Sequence, residues 1–345
     1  MNFLTIIGAR PQFIKSSILT NLLNRDQNIN HKVLNTGQHY DFDMYKNILK
    51  SLNIKQPDFN LRIKNSKDFL DNCIKKIEKK ILQKFKPELI ITYGDTQSTL
   101  LAGIIAKKIQ CKLAHIEAGL RSYNYKMPEE LNRLITDHLA DYLFTPTINS
   151  KRTLVKENVK GKIYVVGDVM YDIFLASNKT IKTIQAKILK KYSLQKNSYV
   201  FLTIHRNENT LTPKVYKKVI EFIKKIKLKK TIIFPAHPRL KNLHNEINYP
   251  PNIKLIRPVD YIETQALLAN SSLCLTDSGG LQKEAYFNGV KCLTLRNETE
   301  WMETVENGWN VLWTNKKLNY NKQKRINYGN GYASKKIYKI LLNNL

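Results

Sequence analysis

From its first residues the chain alternates apolar runs of strand length with amphipathic runs of helix length. "NFLTIIG" (Asn2–Gly8) precedes a helix predicted from about Pro11 to Leu23. "KVLNTG" precedes one near Met44. "ELIITYGD" leads into "TQSTLLAGIIAKK", and "CKLAHIEAG" leads through a polar loop into "PEELNRLITDHLA". "DYLFTP" precedes "INSKRTLVKEN", and "KIYVVGD" closes the series. Strands that read as continuous Ile, Val and Leu runs, each followed by a helix, imply a parallel sheet covered on both faces. The pattern then restarts: "SYVFLTIH" (Ser198–His205) leads to a helix through Val215 to Ile226. "KTIIFPAH", "NIKLIRP", "SSLCLTD" with "SGGLQKEAYFNG", and "VKCLTLR" follow. "ASKKIYKILLNNL" reads as a terminal helix. The fold class is therefore α/β, with two doubly wound, Rossmann-like domains. Residues 1–170 form the first and 171–330 the second; 331–345 is a helix expected to pack back on the first. The boundary is placed near Val169 to Ala176.

In an open parallel sheet, ligands bind beyond the carboxyl ends of the strands, and the polar residues of this chain concentrate there. Gly8, Ala9 and Arg10 end the first strand. Pro11 suits the first helical turn, so Arg10 and Lys15 stand near a helix N-terminus that itself favours anions. Gly94–Asp95 and Glu117 end two further strands, and His115 and Arg121 converge on the same edge. Carboxylates crowded together raise one another's pKa and can divide acid and base roles. Glu129 and Glu130 open the next helix, where a purely structural reading has them complement the helix dipole, with Arg133 pairing to them. In the second half "HRNEN" supplies His205, "PAHPR" supplies His237 and Arg239, and "TDSGGLQKEA" supplies Asp277, Ser278, Gly279, Gly280 and Glu284. Glycines opening a helix let a ligand approach the backbone and leave N–H groups facing an anion. The same residues are compatible with an ordinary capped helix.

Size and charge narrow the classes. The 345 residues, 42% hydrophobic, suffice for two domains with proper cores. No apolar run approaches bilayer length, and "MNFL" enters a strand without a basic leader, so a cytoplasmic protein is expected. Cys73, Cys111, Cys274 and Cys292 lack metal-ligand spacing and read as reduced core thiols. The net charge of +29 is mostly lysine on helical faces, as in "KKIEKKILQKFK" (Lys75–Lys86) and "KKIKLKK" (Lys224–Lys230). It comes with no nucleic-acid-binding motif and is compatible with an acidic substrate.

Taken together, "GARPQFIK", "TGQHYD", "GDTQSTLLAG", "HIEAGLRSYNYKMPEELNR", "HRNEN", "TDSGGLQKEA" and "LRNETE" resemble, in order, the motifs of the non-hydrolysing UDP-N-acetylglucosamine 2-epimerases. The resemblance runs to about Val311. It implies the two-domain glycosyltransferase B-type fold, with the domains facing a cleft, and an elimination of UDP across C1–C2 to a glycal, followed by re-addition. It implies Asp95, Glu117 and Glu130 as acid/base residues and His205 as a catalytic partner on the diphosphate side. It also implies Arg10, Lys15, Arg121, Arg133, His237, Ser278, Gly279, Gly280, Glu284 and Arg296 as contacts to UDP and sugar. No metal or cofactor is expected, nor any nucleic-acid or membrane partner, and a homodimer is. Three sites depart from the family pattern, among them "PAHPR" after its histidine. Trp301 in "TEWMET" stands where the family commonly carries arginine, a variant similar to the subgroup acting on UDP-2,3-diacetamido-2,3-dideoxyglucuronate. Asp41 stands where substrate-regulated bacterial members usually carry glutamine, so substrate allostery is not expected. A glycosyltransferase sharing the fold is the alternative from another class.

Overall fold

The computed structural model describes residues 1–38, 54–63, 68–236, 240, 243, 246–315 and 328–345. The chain divides into two compact units, Met1–Ala176 with Asn327–Leu345, and Ser177–Ile326. The first holds β1 (Asn2–Ile7), β2 (Asn30–Asn35), β3 (Phe59–Asn60), β4 (Leu89–Tyr93), β5 (Lys112–Ile116), β6 (Tyr142–Thr145) and β7 (Lys162–Val165). All pair in parallel, in the order β3-β2-β1-β4-β5-β6-β7. The second holds β8 (Tyr199–Thr203), β9 (Thr231–Pro235), β10 (Ile253–Ile256), β11 (Leu273–Thr276), β12 (Cys292–Thr294) and β13 (Asn310–Leu312), parallel in the order β10-β9-β8-β11-β12-β13.

Strand order reverses between β1 and β4 in one sheet and between β8 and β11 in the other. At such a point neighbouring connections leave in opposite directions and open a crevice beyond the strand ends. The motif residues follow these four strands: Gly8 to Arg10 after β1, Gly94–Asp95 after β4, His205 after β8, and Asp277–Ser278 after β11.

The helices are α1 (Arg10–Arg25), α2 (Phe69–Ile77), α3 (Gln97–Lys108), α4 (Pro128–Leu139), α5 (Ile148–Lys156), α6 (Val169–Lys191), α7 (Asn207–Thr210), α8 (Pro213–Lys225), α9 (Tyr261–Ala269), α10 (Gly279–Asn288), α11 (Met302–Glu306) and α12 (Ala333–Asn344). Three differ instructively from the hydrophobic pattern. The expected boundary falls inside α6, one continuous helix that passes from the first unit to the second. The lysine-rich run starts earlier than it reads, at Phe69, and continues through a wider turn over Glu78–Leu82. α9 escaped prediction because Tyr261, Ile262, Gln265, Ala266, Leu267 and Leu268 are all buried, so no polar face marks a helical period. The helix read near Met44 lies outside the described residues. α12 joins the first unit: Tyr338 Oη donates to Asp26 Oδ2 at 2.6 Å, and Tyr142 Oη donates to the Asn344 carbonyl at 2.9 Å.

Apolar side chains of β1, β4, β5 and β6 (Leu4, Ile6, Ile90, Leu113, Leu143) meet α2 and α3 in one core. Val200, Leu202, Ile232, Phe234 and Leu275 meet α8 in another. All four cysteines are free and buried. Burial pushes the thiols of Cys73 and Cys111 up to about 12, which suppresses the reactive thiolate. A thiol reagent is therefore expected to label the native protein only as fast as it opens, and all four cysteines at once in denaturant. Rapid native labelling at neutral pH would contradict this packing.

Candidate active site

In the first unit the site is assembled around Gly94. The β4–β5 register pairs Tyr93 with Ile116, so the next residues, Gly94 and Glu117, sit side by side. Glu117 is 5% exposed, its N–H donates to the Phe144 carbonyl at 3.0 Å, and its backbone has φ of 69°. Left-handed backbone at a glutamate is costly and clusters at functional positions. Its carboxylate pairs with Lys15, which reaches over from α1. Gly94 has φ of 68°, a left-handed backbone that favours glycine, and lies against the pair: a Cβ there would be 3.4 Å from Lys15 Nζ and 3.6 Å from Glu117 Oε2.

Asp95 stands beside this pair, and its Oδ2 accepts from Arg133 Nη2 at 2.5 Å. Arg133 Nη1 donates to Glu130 Oε2 at 2.6 Å, so one buried guanidinium ties Asp95 to Glu130. Glu130 is itself 1% exposed. It also accepts from the Ser122 N–H and hydroxyl and from the Tyr123 N–H at 2.8 to 3.1 Å. Glu130 thus holds the loop that follows Glu117, besides complementing the start of α4.

Arg121 is engaged within the first unit. Its guanidinium is turned inward, with Nε and Nη2 on Glu157 at 2.8 and 2.6 Å and Nη1 on Asp137 Oδ2 at 2.8 Å. Burial opposes its charge, but Glu157 and Asp137 outweigh that and raise its pKa. Those donors are engaged inside the fold, so Arg121 is placed as an internal brace. Gln12 was missed by sequence reasoning. It accepts from the Gly8 and Ala9 N–H groups and donates to the Tyr93 carbonyl and Thr99, locking the turns after β1 and β4 together. Arg10 follows as the first residue of α1.

In the second unit the centre is Asp277, fully buried at the end of β11. It accepts from the His205 and Arg206 N–H groups at 2.9 to 3.1 Å, from Asn209 Nδ2 at 3.1 Å, and pairs with His205 Nδ1 at 3.1 Å. Burial works against the anion. His205 and these donors outweigh it and hold the carboxyl below its ordinary value of 3.8. The imidazole of His205 is thereby oriented while 41% of the side chain stays exposed. Ser278 caps α10 by accepting from the Leu281 N–H at 3.4 Å, so Gly279 and Gly280 form its first turn. A Cβ on Gly279 would lie 2.0 Å from Glu300 Oε1, so a larger residue there would have to displace the Glu300 carboxylate. Glu284 accepts from Gln265 Nε2 at 2.5 Å. The Arg296 side chain is fully buried and Nη1 bonds Glu300 Oε2 at 2.8 Å, so it steadies the carboxylate behind Gly279. Trp301 is buried, and Lys283 Nζ lies 3.9 Å from its ring centroid, so the indole face receives a neighbouring cation. His237 lies outside the described residues, as do Arg239 and Asp41.

Comparison with known proteins accords with this layout. The family model described as UDP-N-acetylglucosamine 2-epimerase matches residues 21–342. A UDP-N-acetylglucosamine 2-epimerase homolog of Methanococcus maripaludis is 42% identical over 99% of this chain and 100% of its own. A UDP-2,3-diacetamido-2,3-dideoxy-D-glucuronate 2-epimerase of Pseudomonas aeruginosa is 39% identical over 90% of this chain and 88% of its own. Among solved structures, the UDP-GlcNAc 2-epimerase of Methanocaldococcus jannaschii in complex with UDP-GlcNAc and UDP matches with a TM-score of 0.89 at 35% identity, over 100% of both chains. With its two parallel sheets flanked by helices in the manner of the glycosyltransferase B-type fold, the chain belongs to the UDP-N-acetylglucosamine 2-epimerase family, whose members are UDP-sugar isomerases.

Proposed function

We propose that the protein interconverts UDP-GlcNAc and UDP-ManNAc, by eliminating UDP across C1–C2 to a glycal and adding it back after C2 is reprotonated on the other face. C2 carries no adjacent carbonyl to acidify its proton, so direct deprotonation is expensive. Elimination spreads that cost, provided that carboxylates serve C2 and cations receive the departing diphosphate. The observation that carries this reading is the pair of carboxylates around Gly94. Glu117 sits on strained backbone against Lys15, and Asp95 sits against Arg133. Each is an acid/base candidate with a cation beside it. Glu130 supports Asp95 through Arg133, and its role in proton transfer runs through that bridge. In the second unit we assign His205, Ser278, Gly279 and Gly280 to the diphosphate, where a helix N-terminus supplies N–H groups and a favourable dipole, and Glu284 to a ribose diol. Arg10 and Lys15 add positive charge at the end of β1. No helix among the described residues is long and apolar enough to cross a membrane. We place the enzyme in the cytoplasm, as a homodimer, supplying precursors for surface polysaccharide.

A second substrate is favoured by Trp301 and by the Pseudomonas relative: UDP-2,3-diacetamido-2,3-dideoxyglucuronate. One experiment separates the cases. The purified chain is incubated in deuterated water with each UDP-sugar, and C2 is followed by NMR. Deuterium entering C2 of UDP-GlcNAc, with growth of the manno signal, is the expected result. Exchange confined to the diacetamido uronate would transfer the assignment to that sugar. No exchange in either, with UDP released only when an acceptor is added, would make the protein a glycosyltransferase.

A further inference from the structure

Beneath the Gly94 turn lies a polar cluster, centred on two fully buried side chains, that the proposed chemistry does not use. His115, in β5, is 0% exposed, and so is Asp137, in α4. His115 Nδ1 is 2.7 Å from Asp137 Oδ1, and Nε2 is 2.7 Å from the Gly94 carbonyl oxygen. The other Asp137 oxygen accepts from the Gly119 N–H at 3.1 Å and from Arg121 Nη1 at 2.8 Å. Arg121 passes the chain of charges on to Glu157.

Each ring nitrogen of His115 faces an atom that only accepts. A carbonyl oxygen lies on one side and a carboxylate oxygen on the other, so both edges of the ring are held in place. Burial works against the Asp137 anion, but His115 and Arg121 outweigh it and keep its carboxyl below the ordinary range. Arg121 lies between Asp137, which is fully buried, and Glu157, which is partly exposed. Such a cluster is expensive to bury, and apolar residues of similar volume would often be as stable. Its contacts explain why it is there. His115 grips the carbonyl of Gly94, whose N–H donates to Ile116 at 3.0 Å, and the next residue is Asp95. Asp137 grips Gly119 and Arg121, two and four residues past Glu117. One imidazole–carboxylate pair therefore holds the backbone on both sides of the two acid/base candidates.

We propose that His115 and Asp137 are positioning residues, which set the Gly94–Asp95 turn and the loop after Glu117 so that both carboxylates meet C2 at reacting distance. This rests on the epimerase assignment above. Neither residue touches substrate, and their effect runs through Asp95 and Glu117. Misplacing a reacting group by about 1 Å can cost on the order of 10²-fold in rate, whereas UDP, held by other residues, should bind as before.

The test uses the full chain with UDP-GlcNAc and four variants: H115F, H115Q, D137N and the double variant H115Q/D137N. The double variant replaces the imidazole–carboxylate pair with two amides that can bond each other and the Gly94 carbonyl. kcat, KM, C2 deuterium exchange and thermal midpoint are measured on each. H115F and D137N are expected to lose about 10- to 100-fold in kcat, with KM within about threefold of wild type. H115Q/D137N is expected to recover part of the kcat lost in D137N. Should H115F fail to fold, H115Q and D137N carry the same comparison. A lowered midpoint with kcat per folded molecule unchanged would overturn the inference and leave the cluster a stability device. So would a rise in KM alone. A wild-type chain without C2 exchange would sink the epimerase assignment and this inference with it, whereas an active wild type with unaltered variants sinks this inference alone.

Discussion

Glu117→Gln is expected to lower kcat on UDP-GlcNAc by about 10²- to 10⁴-fold, the range that a positioned acid or base contributes. Glutamine keeps the size of the side chain but can neither take nor return the C2 proton. KM should change little or fall, because Lys15 loses its carboxylate partner and becomes a stronger attractor for an anionic ligand. Asp95→Asn should behave alike, with a second consequence: Arg133 would lose its ion pair with Asp95 and keep the one with Glu130. If the two carboxylates act on one proton path, the double variant should cost little more than the worse single one, since groups acting as a unit are not additive. Steady-state rates and C2 exchange measured on all three check this. A loss of less than about tenfold in both single variants would move the acid/base chemistry away from Gly94.

Asp277→Ala is expected to cost about 3–5 kcal/mol of stability, the usual consequence of leaving a buried charge network without its centre. Total stabilities of about 5–15 kcal/mol leave little margin for that. The substitution orphans the His205 and Arg206 N–H groups and Asn209 Nδ2 together. Asp277→Asn keeps the shape and should cost less, but it turns one acceptor into a donor facing other donors. Denaturant unfolding of both variants tests this, with an unchanged midpoint for D277A as the contrary result. The pH dependence follows from the same residue. The folded pKa is depressed below 3.8, so the stabilisation is fully present above that value and is lost as pH falls through the folded pKa. Asp137 has the same sign. Wild type should therefore lose stability steeply below about pH 4, and D277N should lose less over that interval.

Most strands and the helices that follow them were legible because they depend on local information; the short β3, β13 and α11 were not. Alternating apolar runs and helical periods are written residue by residue, and turn chemistry such as "SGG" after "CLT" names the strand end where a ligand approaches. Failures were of two kinds. α9 has no polar face, so its period is invisible, and α6 carries its periodicity straight through the boundary between units. In addition, a charged residue in a motif does not announce which way it points. The sequence did not show that Arg121 pairs with Asp137 and Glu157, or that Arg296 pairs with Glu300.

By itself, then, the order of residues determined the α/β class, the parallel strands, the placing of Asp95, Glu117, His205 and Ser278 at strand ends, and the family. Only tertiary structure decided what those residues meet. The pairing of Asp95 with Arg133, the seating of Lys283 on Trp301, and the grip of His115 on Gly94 join residues separated in the chain. Such pairings arise from strand register and helix docking, and a single residue shift in either would redirect every side chain.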